Sequence, residues 1–418
     1  MAHSRRDFLK GTIGLLSLSL AAPELCFQSS SNVFAAPNPS GKVLVVVQLD
    51  GGNDGLNTVI PYTDKAYYDA RPMLAIPESS VLKATDSLGF HPVMSKFKGL
   101  FDQKRIAVIQ NTGYPNPNLS HFQSRAIYHR ADPTTREEVF QLGWLGKYGD
   151  VKLSDTGNPL SVINLGDGRG SAALPKSLVA EKLIPASINS FPLYQFQTDA
   201  KYPADRNNQI NALAKSNAIK SDDFNFLYVE QTALDALDSS QSLQAGITKY
   251  TPTIKYPENS LGVQLQMAAQ VIAGDLGAQV IHVTLGGFDT HSGQKSDHEE
   301  LLTAISESFD AFYQDLVRLG KADNVLVMAF SEFGRRVREN GSAGTDHGTS
   351  GPMFVMGNAV KGGFYGNSPN LSNLDNAGNT IFDIDFRSVY STILSDWLLT
   401  DPQPVLGGKF ENIGFINK

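Results

Sequence analysis

Val43 to Asp50, VLVVVQLD, is the stretch that most limits what this chain can fold into. It is an apolar, mostly β-branched run that stops at a carboxylate. A run of this kind predicts a strand buried on both faces, as in a parallel sheet. In open parallel sheets ligands sit outside the carboxyl ends of the strands, so Asp50 stands where chemistry is usually done. Gly51 and Gly52 follow and let the backbone turn tightly beside it. The competing reading is an ordinary Gly-Asn-Asp turn with its carboxylates facing water.

The same pattern recurs down the chain. Strands are predicted at Ile106–Ile109, within Pro159–Leu165, at Val280–Leu285, Asn324–Phe330 and Met353–Met356. Helices are predicted from His91 to Gln103, from Ser120 as N-cap, at Leu261–Leu276, Asp297–Leu319 and Asp385–Leu399. Strand, crossover helix, strand, repeated, implies an α/β class with a mainly parallel central sheet and helices on both faces. Residues 36–418 are expected to form one such domain. Its 41% hydrophobic composition is enough for a large core. A polar stretch rich in Asn, Gln, Ser and Asp, residues 191–257, reads as a helical insertion or cap.

The first 35 residues read differently. SRRDFLK at Ser4–Lys10, the short apolar Gly11–Ala22 and the small residues at Val33-Phe34-Ala35 form a twin-arginine signal peptide with a cleavage site after Ala35. The expected partner is the Tat export machinery, and the expected location is periplasmic or secreted. Cys26, the one cysteine, lies inside the signal. The mature chain therefore has neither disulfide nor thiolate ligand. A net charge of -7 argues against binding nucleic acid or anionic membranes. No other stretch is long and apolar enough for stable membrane insertion.

Several predicted strands end in oxygen or imidazole donors. The candidate metal ligands are Asp50, Asp289, His291, Glu332, Asp346 and His347. Two carboxylates and two imidazoles about one ion would suit zinc, with manganese or calcium as alternatives. Each has a plainer reading: Asp289-Thr290-His291 as a capped turn, Glu332 as a salt-bridge partner of Arg335 or Arg336. Ser120 at a helix N-terminus is either an N-cap or a nucleophile whose alkoxide the helix end favours. His121 beside it is a candidate general acid or base, or an outward-facing surface residue. Arg335 is a candidate for stabilising developing charge.

The twin-arginine signal, LDGGNDGLN, NPNLSHF, GGFDTH, SEFGR and TDHG, in this order, resemble the secreted bacterial domain-of-unknown-function 1501 family over nearly all of the mature chain. That family resembles distant members of the alkaline phosphatase and sulfatase superfamily. The resemblance implies an alkaline-phosphatase-like fold with one or two metal ions at the strand ends. It implies hydrolysis of phosphate or sulfate esters, on small molecules or polysaccharides, by Ser120 or a metal-activated water. By the same resemblance Asp50 is the first metal aspartate, and Asp289 and His291 are the later pair. Two departures follow: Asp-x-His replaces Asp-x-x-x-His, and Glu332-Phe333 stands where Asp-His is expected. The second metal position is the one they weaken. A non-catalytic exported binding protein with at most one structural metal is the alternative implied.

Overall fold

A computed structural model describes residues 38, 40–156, 158–168, 173–194 and 238–417. The expected signal peptide and most of the expected insertion lie outside the described residues. A nine-stranded sheet forms the centre. Its strands in chain order are β1 (Val43–Asp50), β2 (Ile106–Gly113), β3 (Val162–Leu165), β4 (Ala186–Ile188), β5 (Val280–Gly286), β6 (Val325–Phe330), β7 (Gly351–Met356), β8 (Gly363–Tyr365) and β9 (Ile384–Asp385). Across the sheet they lie in the order β8-β2-β7-β6-β1-β5-β3-β4, with β9 beside β2.

β1 is parallel to β5 on one side and to β6 on the other. Its side chains alternate between two cores. Val43, Val45, Val47 and Leu49 enter one, and Leu44 and Val46 enter the other. This is why the run is apolar without alternation: neither face meets water. Each such valine or leucine contributes roughly 1.5–3 kcal/mol by leaving water. The first face is covered by α1 (Ser95–Asp102), α4 (Ser260–Ala273) and α5 (Gln294–Arg318). The second is covered by α2 (His121–Arg130), α3 (Trp144–Lys152) and α6 (Phe386–Thr392).

Three expectations are adjusted. The Met353–Met356 strand is present but runs antiparallel to both neighbours, β6 and β2. The helix expected from His91 begins at Ser95, because His91 to Met94 forms a turn closed by Met94 N–H to His91 C=O. The last helix passes into a π turn at Ile393–Trp397. The described flanks of the expected insertion pack into the main core through Phe191, Leu243, Tyr250 and Tyr256. The hydroxyls of Tyr250 and Tyr256 both donate to Asp315 Oδ2, at 2.7 and 2.9 Å. Among the described residues no helix is long and apolar enough to cross a membrane.

β1, β5 and β6 run the same way, and β2, antiparallel to β7, runs with them. Their carboxyl ends therefore share one edge. β7 starts at that edge, so the loop preceding it, with Thr345-Asp346-His347-Gly348, arrives there too. An isolated bridge between Arg335 and His347 ties that loop to the end of β6.

Candidate metal centre

At this edge three imidazoles surround one carboxylate oxygen. Asp289, in the turn after β5, places Oδ1 3.1 Å from His291 Nε2, 3.1 Å from His347 Nε2 and 3.3 Å from His121 Nε2. His291 Nε2 and His347 Nε2 are 2.9 Å apart. Ligand atoms of His121, Asp289 and His347 all lie within 4.8 Å of one another.

The far side of each ring fixes what its Nε2 presents. His347 Nδ1 is 2.7 Å from the Leu119 carbonyl, an acceptor only, so Nδ1 carries the proton. His121 Nδ1 is 2.9 Å from Glu332 Oε1, and His291 Nδ1 is 3.3 Å from Asp346 Oδ1. With each Nδ1 donating, the neutral rings turn three Nε2 lone pairs towards one carboxylate oxygen. His121 Nε2 is buried, and its angle to Asp289 is not that of a hydrogen bond. Lone pairs facing each other repel unless a proton or a metal cation sits among them. Imidazoles held through their other nitrogen by carboxylates or carbonyls are the usual surroundings of metal-binding histidines. The donor set of His121, Asp289 and His347, with His291 beside them, fits a metal ion: imidazole nitrogens with a carboxylate oxygen suit zinc and other transition ions better than calcium.

Electrostatics agree with a charged carboxylate. Burial pushes the Asp289 carboxyl up, but the Arg335 guanidinium and His347 outweigh it and hold it well below the usual range. The hydrogen bond that His121 donates to Glu332 raises its pKa. Burial lowers His347, against the opposing effects of the Leu119 carbonyl and Asp289.

The other expected residues stand around this cluster. Glu332 is fully buried; its two oxygens accept the Gly51 N–H at 3.0 and 3.1 Å, and Oε1 accepts from His121. Its carboxylate is thus engaged behind His121. Asp346 lies behind His291 and also accepts from Asn340 Nδ2 at 3.1 Å. Asp50 accepts from Arg125 Nη1 at 2.8 and 3.1 Å and from Gln48 Nε2 at 3.0 Å, so its charge is matched by a guanidinium. Arg335 donates to the carbonyls of Gly51, Gly52, Phe288 and Thr345 and to Asp289 Oδ1. Its hydrogen bonds are spent inside the protein, tying three backbone stretches to its own.

Ser120 is the N-cap residue of α2, exposed, and its hydroxyl makes no capping bond. Phe333, 2% exposed, packs its ring 4.9 Å from that of His121 and 4.6 Å from that of His347. Gly51 has φ +121°, and a Cβ there would run into the Asp289 backbone nitrogen. Only glycine permits that approach.

The sequence reading took His121 for an acid or base, whereas its Nε2 points into the cluster. It also passed over Arg125 and a buried network beside the β1 loop. In that network Asp54 accepts from Arg71 Nη1 at 2.5 Å and from Gln294 Nε2, and His298 Nε2 meets Asn53 Oδ1 at 3.0 Å. One signal was visible for Asp50: Gln48, two residues back in an apolar strand, points to the same side.

A family profile described as "Protein of unknown function (DUF1501)" matches residues 41–397. No curated protein matches the sequence significantly. Similar solved structures include the C-terminal periplasmic domain of EcEptC from Escherichia coli in complex with Zn, at TM-score 0.36 and 8% identity, covering 77% of this chain and 74% of that one. The PsFucS1 sulfatase from Pseudoalteromonas sp. is similar at TM-score 0.37 and 11% identity, over 90% of this chain and 74% of that one. A TAB5 alkaline phosphatase mutant with Mg bound in its M3 site is similar at TM-score 0.33 and 12% identity, over 77% of this chain and 92% of that one.

Proposed function

The chain belongs to the DUF1501 family, and we propose that it is an exported, metal-dependent hydrolase of phosphate or sulfate esters. The observation that carries this reading is the convergence of three Nε2 atoms on Asp289 Oδ1, each ring anchored through Nδ1. His121, Asp289, His291 and His347 would hold one divalent ion, zinc by the chemistry of the donors. Such an ion supplies positive charge and Lewis acidity beside an ester oxygen.

The chain's own groups do the rest. Glu332, Asp346 and the Leu119 carbonyl keep the three rings in the ligating tautomer. Arg335 holds the loops of β1, β5 and β6 in register, and its charge keeps Asp289 ionised. Ser120 Oγ, uncommitted at the N-terminus of α2, is the proposed nucleophile. The helix end favours its alkoxide. As Oγ bonds to phosphorus or sulfur, the bond to the alcohol oxygen breaks and the serine proton passes to the departing alcohol. Water then cleaves the Ser120 ester, releasing phosphate or sulfate and restoring the hydroxyl. Water attacking in its place is the variant of this proposal. A twin-arginine route would export the chain already folded.

The test is metal analysis of protein purified from the periplasm, followed by aryl phosphate and aryl sulfate assays. One ion per chain, and loss of both ion and turnover in Asp289→Ala, are expected. Ser120→Ala should keep the ion and lose roughly three orders of magnitude in kcat. Substoichiometric metal together with no turnover would sink the proposal and leave a binding protein.

A further inference from the structure

Beside the cluster, on the first turns of α2, an aromatic ring and a guanidinium stand together in the open. Phe122 is 67% exposed, among the most exposed large apolar residues described. The Arg125 guanidinium lies 5.4 Å from the centre of its ring. Arg125 follows His121 by one helical turn, and its Nε–H donates to the His121 carbonyl at 3.2 Å. Its Nη1 is fixed on both Asp50 oxygens. Asp50 in turn is braced by Gln48, whose Oε1 is 2.7 Å from His129 Nε2.

The result is an arginine already ordered by two of its three nitrogens. Nη2 takes no part in these bonds, and the side chain keeps 28% exposure. A planar guanidinium with one edge free is suited to a carboxylate or sulfate oxygen. An exposed aromatic face accepts the flat apolar face of a ring. Phe122 directly follows His121 on α2, and Arg125 lies one helical turn, ~6 Å, beyond His121. His121 turns inward to the cluster while Phe122 and Arg125 stay at the surface beside it, where the part of an ester that projects from the cluster would pass.

We infer that Phe122 and Arg125 form a rim that selects esters whose alcohol is a ring carrying an acidic group. The inference rests on the cluster being the ester site, but its test reads binding and not turnover. Two probe pairs separate the sources of such a ring: benzoate against benzyl alcohol, and glucuronate against glucose. Each is titrated calorimetrically into the purified full-length protein. The acidic member of at least one pair should bind roughly 3- to 5-fold more tightly, the scale of a part-exposed charge pair. Arg125→Ala should abolish that preference, and Arg125→Lys should keep part of it. Phe122→Ala should weaken both members of the pair alike. Should Arg125→Ala not fold, Arg125→Gln, which keeps a donor for Asp50 without the charge, carries the same test. Equal binding of acidic and neutral probes by the wild type, or a preference unchanged without the guanidinium, overturns the inference. Absence of metal or of ester hydrolysis in the same preparation counts against the hydrolase proposal instead.

Discussion

Glu332 Oε1, on a carboxylate with no exposure to solvent, accepts a hydrogen bond from His121 Nδ1 at 2.9 Å, across 211 residues of sequence. The same carboxylate receives the Gly51 N–H. One buried acid thus joins the end of β6, the turn after β1 and the start of α2, and it sets which nitrogen of His121 faces Asp289. A carboxylate buried this deeply must be compensated by such donors. Glu332→Gln keeps the shape and removes the charge behind the ring. Zinc affinity should fall about 10- to 100-fold, as for other partners of ligating histidines. Competition with a chromophoric chelator measures it, and an unchanged constant would remove Glu332 from the site.

A second expectation concerns Asp54. Its carboxylate meets Arg71 at 2.5 Å, with both side chains wholly buried, and also accepts from Gln294 and the Leu56 N–H. Burial raises Asp54, and Arg71 more than offsets it, so the group stays charged. Asp54→Ala leaves the buried guanidinium without its countercharge, and about 3–5 kcal/mol of stability should be lost. Pairing Asp54→Leu with Arg71→Met should recover much of it, because no orphaned charge then remains. Urea unfolding at neutral pH reads both. A loss under about 1 kcal/mol for the alanine variant would be incompatible with a dry pair.

These two carboxylates mark where sequence reasoning stopped. The strand ends were legible because a strand buried on both faces has an unmistakable composition, and Asp289, His291 and His347 lie next to such ends. Whether an acid points into a cluster or braces a ring from behind is decided by a few ångströms of side-chain direction. Residue order carries no trace of that, so Glu332 and Asp346 were grouped with the ligands. The direction of His121 was hidden because the first turn of a helix can face either way. The partner of Asp50, Arg125, lies 75 residues away on a helix that shows only an N-cap signal.

Acid should destabilise the fold over a defined window. Burial lowers His91 and His298 to about 4 and His282 to about 3, from 6.5, and lowers His129 well below the same value. Above pH 6.5 these groups are neutral in both folded and unfolded chains. Between about 6.5 and 4 the unfolded chain binds more protons, so stability falls as pH falls. His282 is fully buried on β5, and both ring nitrogens lack a partner. His282→Leu should therefore flatten the decline without touching the cluster. Urea midpoints at pH 7.5, 6 and 5 compare the slopes, and identical slopes would exclude His282 as a contributor.

The division between Asp50 and Asp289 gives the last expectation. Asp289 Oδ1 is the point on which three imidazoles converge, and Asp50 is held by Arg125 and Gln48. A carboxylate bound to a guanidinium already has its countercharge, and releasing Arg125 for a second cation would cost that pair without a gain in net charge. Metal content should therefore be one ion per chain. Asp289→Asn should bring it close to zero, since the substitution removes the negative charge among the three rings. Asp50→Asn should leave it at one and instead loosen Arg125, raising KM for anionic esters more than it lowers kcat. Mass-spectrometric metal analysis of the two variants beside the wild type decides the matter. Two ions in the wild type, falling to one in Asp50→Asn, would show that Asp50 is a ligand after all and that the guanidinium gives way to metal.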